Sequence, residues 1–450
     1  MFGTRARTLV IQVSLMFFNV FLLWGQAPVR LQASPLAQAT LTPSDVVLTL
    51  AQVEDQAIKN QPRIQAAQLR AKAYQERIRE SRAGLLPVLA FNATGVLVAD
   101  TGTSTAAGNI TTSAISNRFA YGGNLTQLVT DFGRTSALVS SAKRTAEAQG
   151  EFATLTRAQI RLNVRDAYYQ VLGAEAVLKA AHEAQGNRAL ISRQVGALAQ
   201  SQLRSTLDVN FAGVLESEAE LAVVQAESIV HQRRDQLTTA MGDQHSVIAA
   251  LAEEPLPAAL PPDPEGLLGQ AQQDRADLNT LRLEQKAADQ FAKAERKLSY
   301  PSLNVLGSAG ELPFHDHTLH DSYAAAGFNL NIPILNGGLF SARRSEAQLE
   351  ASARSRDVEE TKLEVTQQVR DAWYQANESF RSLAVTSRLV SQSREALHLA
   401  QARYDSGLGS IVELNEAQLN EFSAEISAAG AKYTYLSRRA TLDFATGLLN

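Results

Sequence analysis

Half of this chain is written twice. Residues from about Phe119 to Asp243 recur, at a constant offset of 205, as residues from about Ala324 to Leu448. Val164-Arg165-Asp166-Ala167-Tyr168-Tyr169-Gln170 falls on Val369-Arg370-Asp371-Ala372-Trp373-Tyr374-Gln375, and one aromatic differs. Ser205-Thr206-Leu207-Asp208-Val209 falls on Ser410-Ile411-Val412-Glu413-Leu414, and Ala240-Met241-Gly242 on Ala445-Thr446-Gly447. One ungapped register over such a span means one architecture built from two similar halves, where 450 residues could otherwise hold two or three unrelated domains.

The first copy lacks proline, none occurring between Pro87 and Pro255, and the second holds only Pro333, ahead of its helices. Arg134 to about Gln200 therefore reads as one helix. Leu155, Leu162, Tyr169 and Ala176 recur at the seven-residue spacing of a coiled coil. Some 65 residues at 1.5 Å each make a rod of roughly 100 Å, too long for a globular core. Ser201–Ser205 breaks it, and a second helix over Leu207–Met241 turns back as an antiparallel hairpin. The second half predicts the same, with Phe340–Asp405, a tip over Ser406–Ser410, and a return over Ile411–Thr446.

Ahead of each hairpin the period changes. Leu48–Leu85 reads as a helix interrupted at Pro62, and Leu267–Leu298 as a continuous one. Strands are expected at Pro87–Ala99 and Asn117–Val129 around a Gly/Ser/Thr loop, and at Pro301–Glu311 and Ser322–Ile334 around a loop over 312–321. Asp131-Phe132-Gly133 and Asn336-Gly337-Gly338 are the turns that follow. Pro255, Pro257, Pro261, Pro262 and Pro264 make 244–266 an extended linker between the halves. The plan is thus a leader over 1–39, a first repeat over 40–243 with its β-hairpin at 87–130, the linker, and a second repeat over 267–450 with its β-hairpin at 301–334.

The leader carries Arg5 and Arg7, an apolar run from Leu9 to Trp24, and a small-residue site at Ala37-Gln38-Ala39. That pattern reads as a secretory signal; a membrane anchor is the alternative. Cysteine is absent, which excludes disulfides, thiol chemistry and a lipidated N-terminal cysteine. The formal charge is −4, and the leader holds Arg5, Arg7 and Arg30 but no acid, so removing it makes the chain more negative. Such a chain offers no footprint for nucleic acid.

In the last strand Ala324, Ala326, Phe328, Leu330 and Ile332 point one way, and Tyr323, Ala325, Gly327, Asn329 and Asn331 the other. One face is apolar and one more polar, as in a barrel strand between lipid and water. Four strands are too few to close a barrel, and open edges are not tolerated in lipid, so several chains would have to share one barrel. The competing arrangement is a soluble β-sandwich on a helical stalk.

Taken together these features resemble the TolC-type outer-membrane channels of efflux and type I secretion systems. The resemblance rests on the tandem repeat, on Asn60-Gln61-Pro62-Arg63-Ile64-Gln65-Ala66-Ala67, on the two post-hairpin turns, on the Val-Arg-Asp-Ala-aromatic-Tyr-Gln motif in both long helices, and on Ala402-Arg403-Tyr404-Asp405-Ser406-Gly407-Leu408-Gly409-Ser410-Ile411-Val412-Glu413-Leu414. It implies a mainly α protein with a membrane β-barrel part, in which a homotrimer shares a twelve-strand barrel and a helical tunnel in the periplasm, with the linker at its equator. It also implies a passive duct with no cofactor, set in outer-membrane lipid. Small molecules or polypeptides would pass, driven by an inner-membrane pump of RND or ABC type through a periplasmic adaptor.

Glu413 and Glu416 are three residues apart and so share a helix face; three chains would stack them as two acidic rings, which favour cations. By resemblance they match the periplasmic entrance, with Asp208 as the first-repeat counterpart of Glu413. An ordinary solvated helix face is the plainer reading. Gly407, Leu408 and Ser410, with Leu203 in the first tip, match the turns that dock an adaptor. Gly409 departs from the family, whose better-known member has a latching basic residue there. Nothing suggests catalysis. His315, His317 and His320, beside Asp316 and Asp321, are weak metal candidates and the sole support for a metal-cation efflux role. A non-conducting trimeric coiled-coil scaffold is the other alternative. Tyr168, Tyr169, Trp373 and Tyr374 read as core aromatics.

Overall fold

The computed structural model describes residues 47–96, 103–105, 112–114, 118–243, 250–257, 259–315 and 320–450. The expected leader lies outside them, as do His317 and Asp316. The elements run in chain order as α1 (Leu50–Asn60), α2 (Pro62–Ala83), β1 (Val88–Val96), β2 (Thr103–Thr105), β3 (Thr112–Ala114), β4 (Arg118–Thr130), α3 (Arg134–Gln200) and α4 (Thr206–Ala240). The second half follows with α5 (Glu265–Asp274), α6 (Ala276–Arg296), β5 (Ser302–Phe314), β6 (Ser322–Asn331), α7 (Leu339–Asp405) and α8 (Ile411–Ala445).

The two long helices are 67 residues each and the two return helices 35 each. They pack side by side in the order α4, α3, α8, α7; nearer the strands the order is α2, α3, α6, α7. The middle helices thus have a neighbour on each flank. This changes the seam read from the sequence. Ile160, Val164, Tyr168 and Val171 are the deeply buried row of α3, whereas Leu155, Leu162 and Ala176 are half-buried. A single heptad stripe serves one partner; a helix clasped on two sides buries a broader face.

The repeated Val-Arg-Asp-Ala-aromatic-Tyr-Gln motif now has a physical reason. Val164 and Val369 are fully buried. Arg165 bonds Glu54 on α1 at 2.5 Å, and Arg370 bonds Glu265 on α5 at 2.8 Å, so each half ties its long helix to the short helix that opens it. The aromatic holds the linker: the Tyr168 hydroxyl donates to the carbonyls of Ala252 and Leu48 at 2.5 and 3.1 Å, and the Trp373 indole to that of Pro261 at 3.1 Å. Lys432 bonds Glu253 at 2.7 Å. Tyr169 is buried as expected, but Tyr374 is 58% exposed. It sits on α7, an outermost helix of the layer, where its ring meets only the edge of Trp373 among the described rings.

The helix expected over 267–298 starts earlier, at Glu265, and is broken at Arg275. The break at Gln61 is legible from Pro62, but Arg275 has no proline after it. Both breaks serve the end of a return helix. Gly242, at φ +75°, lies against Asn60 and Gln61, and Gly447, at φ +82°, against Asp274 and Arg275. A Cβ on either would come within about 3.0 Å of backbone. The side chain of Gln61 also donates to the carbonyls of Thr239 and Ala240 at 3.0 Å, completing the end of α4. Arg275, buried, bonds Asp277 and Gln368 at 2.5 and 2.7 Å.

The four long strands form one antiparallel sheet in the order β1-β4-β5-β6, so β1 and β6 are both edges. The strands depart from the sequence reading chiefly in that β5 runs on to Phe314, β6 ends at Asn331, and the first loop contains a short β2–β3 ladder. The register places Leu89, Leu125, Gly307 and Ala326 in one row, Phe91, Gly123, Ala309 and Ala324 in the next, and Val305 beside Phe328. All of these share one face. The opposite face holds Asn92, Asn124, Thr126, Ser308 and Asn329, interrupted by Val88 and Leu306. Leu89, Phe91 and Phe328 are 72–76% exposed, so the apolar face has no cover among the described residues. Toward the loops this face ends in Phe91, Tyr121 and Phe119, with ring centroids 6.2 Å apart, and a Tyr121–Glu311 hydrogen bond.

The turn after β4 is held by Asp131, which accepts from the N–H groups of Gly133 and Thr135 at 3.0 and 2.7 Å and from the Thr135 hydroxyl at 2.5 Å. Burial opposes its ionised form, but these bonds outweigh it and hold the carboxyl below the usual range. A lowered folded-state pKa adds stability that is present at neutral pH and fades as pH falls through it. Asp131→Ala is expected to cost about 1 kcal/mol and to flatten that acid limb, read by circular dichroism of thermal unfolding in detergent between pH 7 and 3. An unchanged midpoint at neutral pH would remove the capping role.

Candidate functional site

The two helical hairpins end side by side. Each long helix closes with the same pattern of C-terminal hydrogen bonds. In the second tip the N–H groups of Gly407 and Leu408 reach the carbonyls of Tyr404 and Arg403; in the first, those of Gln202 and Leu203 reach Ala199 and Leu198. This is a Schellman cap, whose turning residue takes left-handed φ. Gly407 does so at φ +75° and Gln202 at φ +58°. A glutamine there carries backbone strain of about 1 kcal/mol or more, so the first tip is the less relaxed of the two.

The next helix then starts on a serine. The Ser205 hydroxyl accepts the Asp208 N–H while the Asp208 carboxylate accepts the Ser205 N–H, both at 3.2 Å. Ser410 accepts the Glu413 N–H at 3.2 Å. Asp208 is therefore committed to a capping box. Leu203 and Leu408 occupy the cap position whose side chain usually packs back on its own helix. Here they are 69% and 76% exposed and project from the ends of the hairpins.

Beneath the turns the hairpins share one small core of Val195 and Ala212 from the first with Ala400, Tyr404, Ile411 and Leu414 from the second. Tyr404 is the centre of it. Its ring is buried, its hydroxyl has no partner among the described residues, and burial pushes its phenol pKa up. Arg204 reaches across from the first tip. Its guanidinium lies 4.2 Å over the Tyr404 ring and donates to the Tyr404 carbonyl at 2.8 Å.

Glu413 and Glu416 differ in a way their spacing does not convey. Glu413 pairs with Arg403 of its own tip at 3.0 Å, whereas Glu416 is exposed, with no hydrogen bond or ion pair among the described residues. Gly409 also has a reason: a Cβ there would meet the Tyr404 nitrogen and Arg403 carbons at 3.1–3.2 Å. A larger side chain at that position needs the turn to give by a few tenths of an ångström, and the basic group of this tip is Arg403, with Arg204 reaching in from the first. Sequence reasoning passed over Arg204, Arg403 and Tyr404. The basic residue in each tip, against acids at fixed offsets, was the available signal.

In the second β-hairpin, His315 Nε2 lies 2.8 Å from Asp321 Oδ1, and His320 lines a shallow hollow with Tyr323. Among the described residues no three His, Asp or Glu side chains converge as metal ligands.

The family model for outer membrane efflux proteins matches residues 53–243 and 267–448. The outer membrane protein TolC of Salmonella enteritidis is 26% identical over 420 residues, spanning 89% of this chain and 82% of that one. The probable efflux pump outer membrane protein TtgC of Pseudomonas putida is 25% identical over 413 residues, spanning 88% and 82%. Among solved structures, the outer-membrane channel OprN superimposes with a TM-score of 0.76 at 20% identity, over 88% of this chain and 89% of that one.

Proposed function

Because this chain belongs to the outer membrane efflux protein family, we propose that three copies close into a single conduit whose wall is one twelve-strand barrel continued by a ring of helices. The family places it in the outer membrane, with its helices on the periplasmic side. The observation that carries the closure is the pair of unfinished edges. β1 and β6 end the sheet, each with unpaired backbone groups that lipid cannot satisfy. α4 and α7 end the helix layer, and both expose apolar side chains: Phe211, Leu221 and Val224 on α4, Leu363, Tyr374 and Leu399 on α7. Pairing β6 of one copy with β1 of the next, and α7 with α4, removes both deficits at once.

The apolar face of the sheet then meets lipid and the polar face lines the bore. From Leu303 to Glu311 the strand rises about 27 Å; tilted by about 40° it spans roughly 20 Å, close to the apolar band of such barrels. No helix among the described residues is long and apolar enough to cross a membrane. Single-channel recording of the purified protein in a planar bilayer tests this. Trimer-sized particles giving a stable conductance are expected; soluble particles without insertion would sink the conduit.

The conduit is passive, and small molecules or polypeptides would move through it under an inner-membrane pump. The projecting Leu203 and Leu408, with the Gly407 turn and Ser410, are the surface for a periplasmic adaptor. The acids of the tips, Glu413 and Glu416 foremost, would line the entrance. Arg204 holds the two hairpins of one chain together there. Arg204→Gln removes a stacked cation worth about 0.5–2 kcal/mol and a charged donor. It is expected to loosen the tips and raise the resting conductance by about twofold or more; an unchanged conductance would leave Arg204 a packing residue only.

A further inference from the structure

Away from the turns, the helix layer opens between α3, α7 and α8 into a cavity of about 610 Å3. Its lining on α3 begins at Gln194, about 9 Å from the end of that helix at 1.5 Å per residue. Volumes of roughly 300–1,000 Å3 suit small organic ligands.

Three carboxylates converge on it: Glu183 from α3, and Glu421 and Glu425 one turn apart on α8. A single guanidinium answers Glu421 and Glu425. Arg394 bonds Glu425 at 2.8 Å and Glu421 at 3.5 Å, with its own side chain largely in solvent. Arg188 also borders the space, but its guanidinium donates to the Leu215 carbonyl at 3.1 Å and lies 3.9 Å from Glu218, both on α4. The cavity is therefore left with excess negative charge. Burial, and then the Glu425 carboxylate, push the Glu421 carboxyl above its usual range.

A second feature is independent of the acids. Gln418 lines the same space with only 9% of its surface exposed, and its side-chain amide has no hydrogen-bond partner among the described residues. The amide opens onto the cavity, so a guest that displaces water from it must supply the hydrogen bond in its place. Leu190, Ile191, Leu397 and Phe422 give the same space an apolar lining. A bare metal ion would leave that apolar wall unused, and a neutral apolar guest would leave the carboxylates and the amide unanswered.

We propose that this cavity is a binding site for a protonated organic amine carrying an apolar body. The ammonium donates to the Glu421 and Glu425 carboxylates and to the Gln418 carbonyl oxygen, while the body lies against Phe422 and the leucines. The residues that would hold the guest all belong to one chain.

Calorimetric titration of the full-length protein in detergent with 1-naphthylmethylamine tests it, with 1-naphthalenemethanol as the neutral match. One site per chain is expected, with the amine bound about tenfold or more tighter than the alcohol, a charge-assisted difference of about 1.4 kcal/mol. Glu421→Gln with Glu425→Gln should erase most of that preference, and Gln418→Leu should weaken the amine several-fold. The chain has no cysteine, so Asn187→Cys puts a single thiol on the cavity wall; saturating amine should slow its alkylation by N-ethylmaleimide. Equal binding of amine and alcohol, no binding of either, or amine binding that neither protects the thiol nor responds to the glutamates would overturn the proposal. Should the double variant fail to fold, protection of the thiol decides alone.

Discussion

Leu125→Arg is expected to abolish recovery of assembled protein from the outer membrane, while Asn124→Arg, its immediate neighbour, leaves assembly intact. The two residues are consecutive on β4 and so point to opposite faces. Leu125 sits in the row Leu89, Leu125, Gly307, Ala326, at mid-height of the apolar face. An arginine at mid-bilayer on a barrel costs about 2–4 kcal/mol. In the proposed trimer three copies would pay it together, which rivals the whole stability of an ordinary domain, about 5–15 kcal/mol. Asn124 sits in the row Ala90, Asn124, Ser308, Ala325 on the polar face, where an arginine would reach water in the bore. Oligomer bands and membrane fractionation of the two variants give the readout. Equal loss would mean that the sheet has no lipid side, and the soluble-stalk arrangement would return. Equal tolerance would mean the same.

What the sequence revealed and what it hid divide along one physical line. Periodic signals were legible because they repeat within a segment. The ends of α3 and α7, the alternation along β6 and the doubled tips all follow from spacing and from Gly, Pro and Ser at breaks. Features made by contact between distant segments were not. The break at Arg275 lies where Gly447, from the far end of the chain, comes against its backbone, and nothing beside it in sequence announces it. Tyr374 has the same local sequence as buried Tyr169, yet lies on an outermost helix of its chain. Phe132 and Gln202 take left-handed φ where the second repeat uses Gly337 and Gly407; the repeat geometry, enforced by packing, overrides the local preference. The tips follow the same division. Glu413 and Glu416 are equivalent by spacing, and only the fold gives Arg403 to one of them.

That asymmetry yields the second large effect. Around each pair of tips Asp208, Asp405, Glu413 and Glu416 face Arg204 and Arg403, leaving two net negative charges per chain at neutral pH. Three chains around one bore would carry six. Arg403→Gln frees Glu413 and adds one negative charge per chain, so cation selectivity is expected to rise. Glu413→Gln with Glu416→Gln brings the count to zero, so selectivity should vanish. A unit charge at roughly 10 Å in water is worth about 0.4 kcal/mol. Three such changes therefore approach a tenfold shift in permeability ratio at low salt, reduced to a few-fold near 0.1 M by screening. Reversal potentials in a salt gradient, recorded in bilayers at two ionic strengths, read both variants. The decisive point is the opposite sign of the two shifts. Changes of one sign, or none, would mean that these carboxylates look away from the path, and the tips would then serve docking alone.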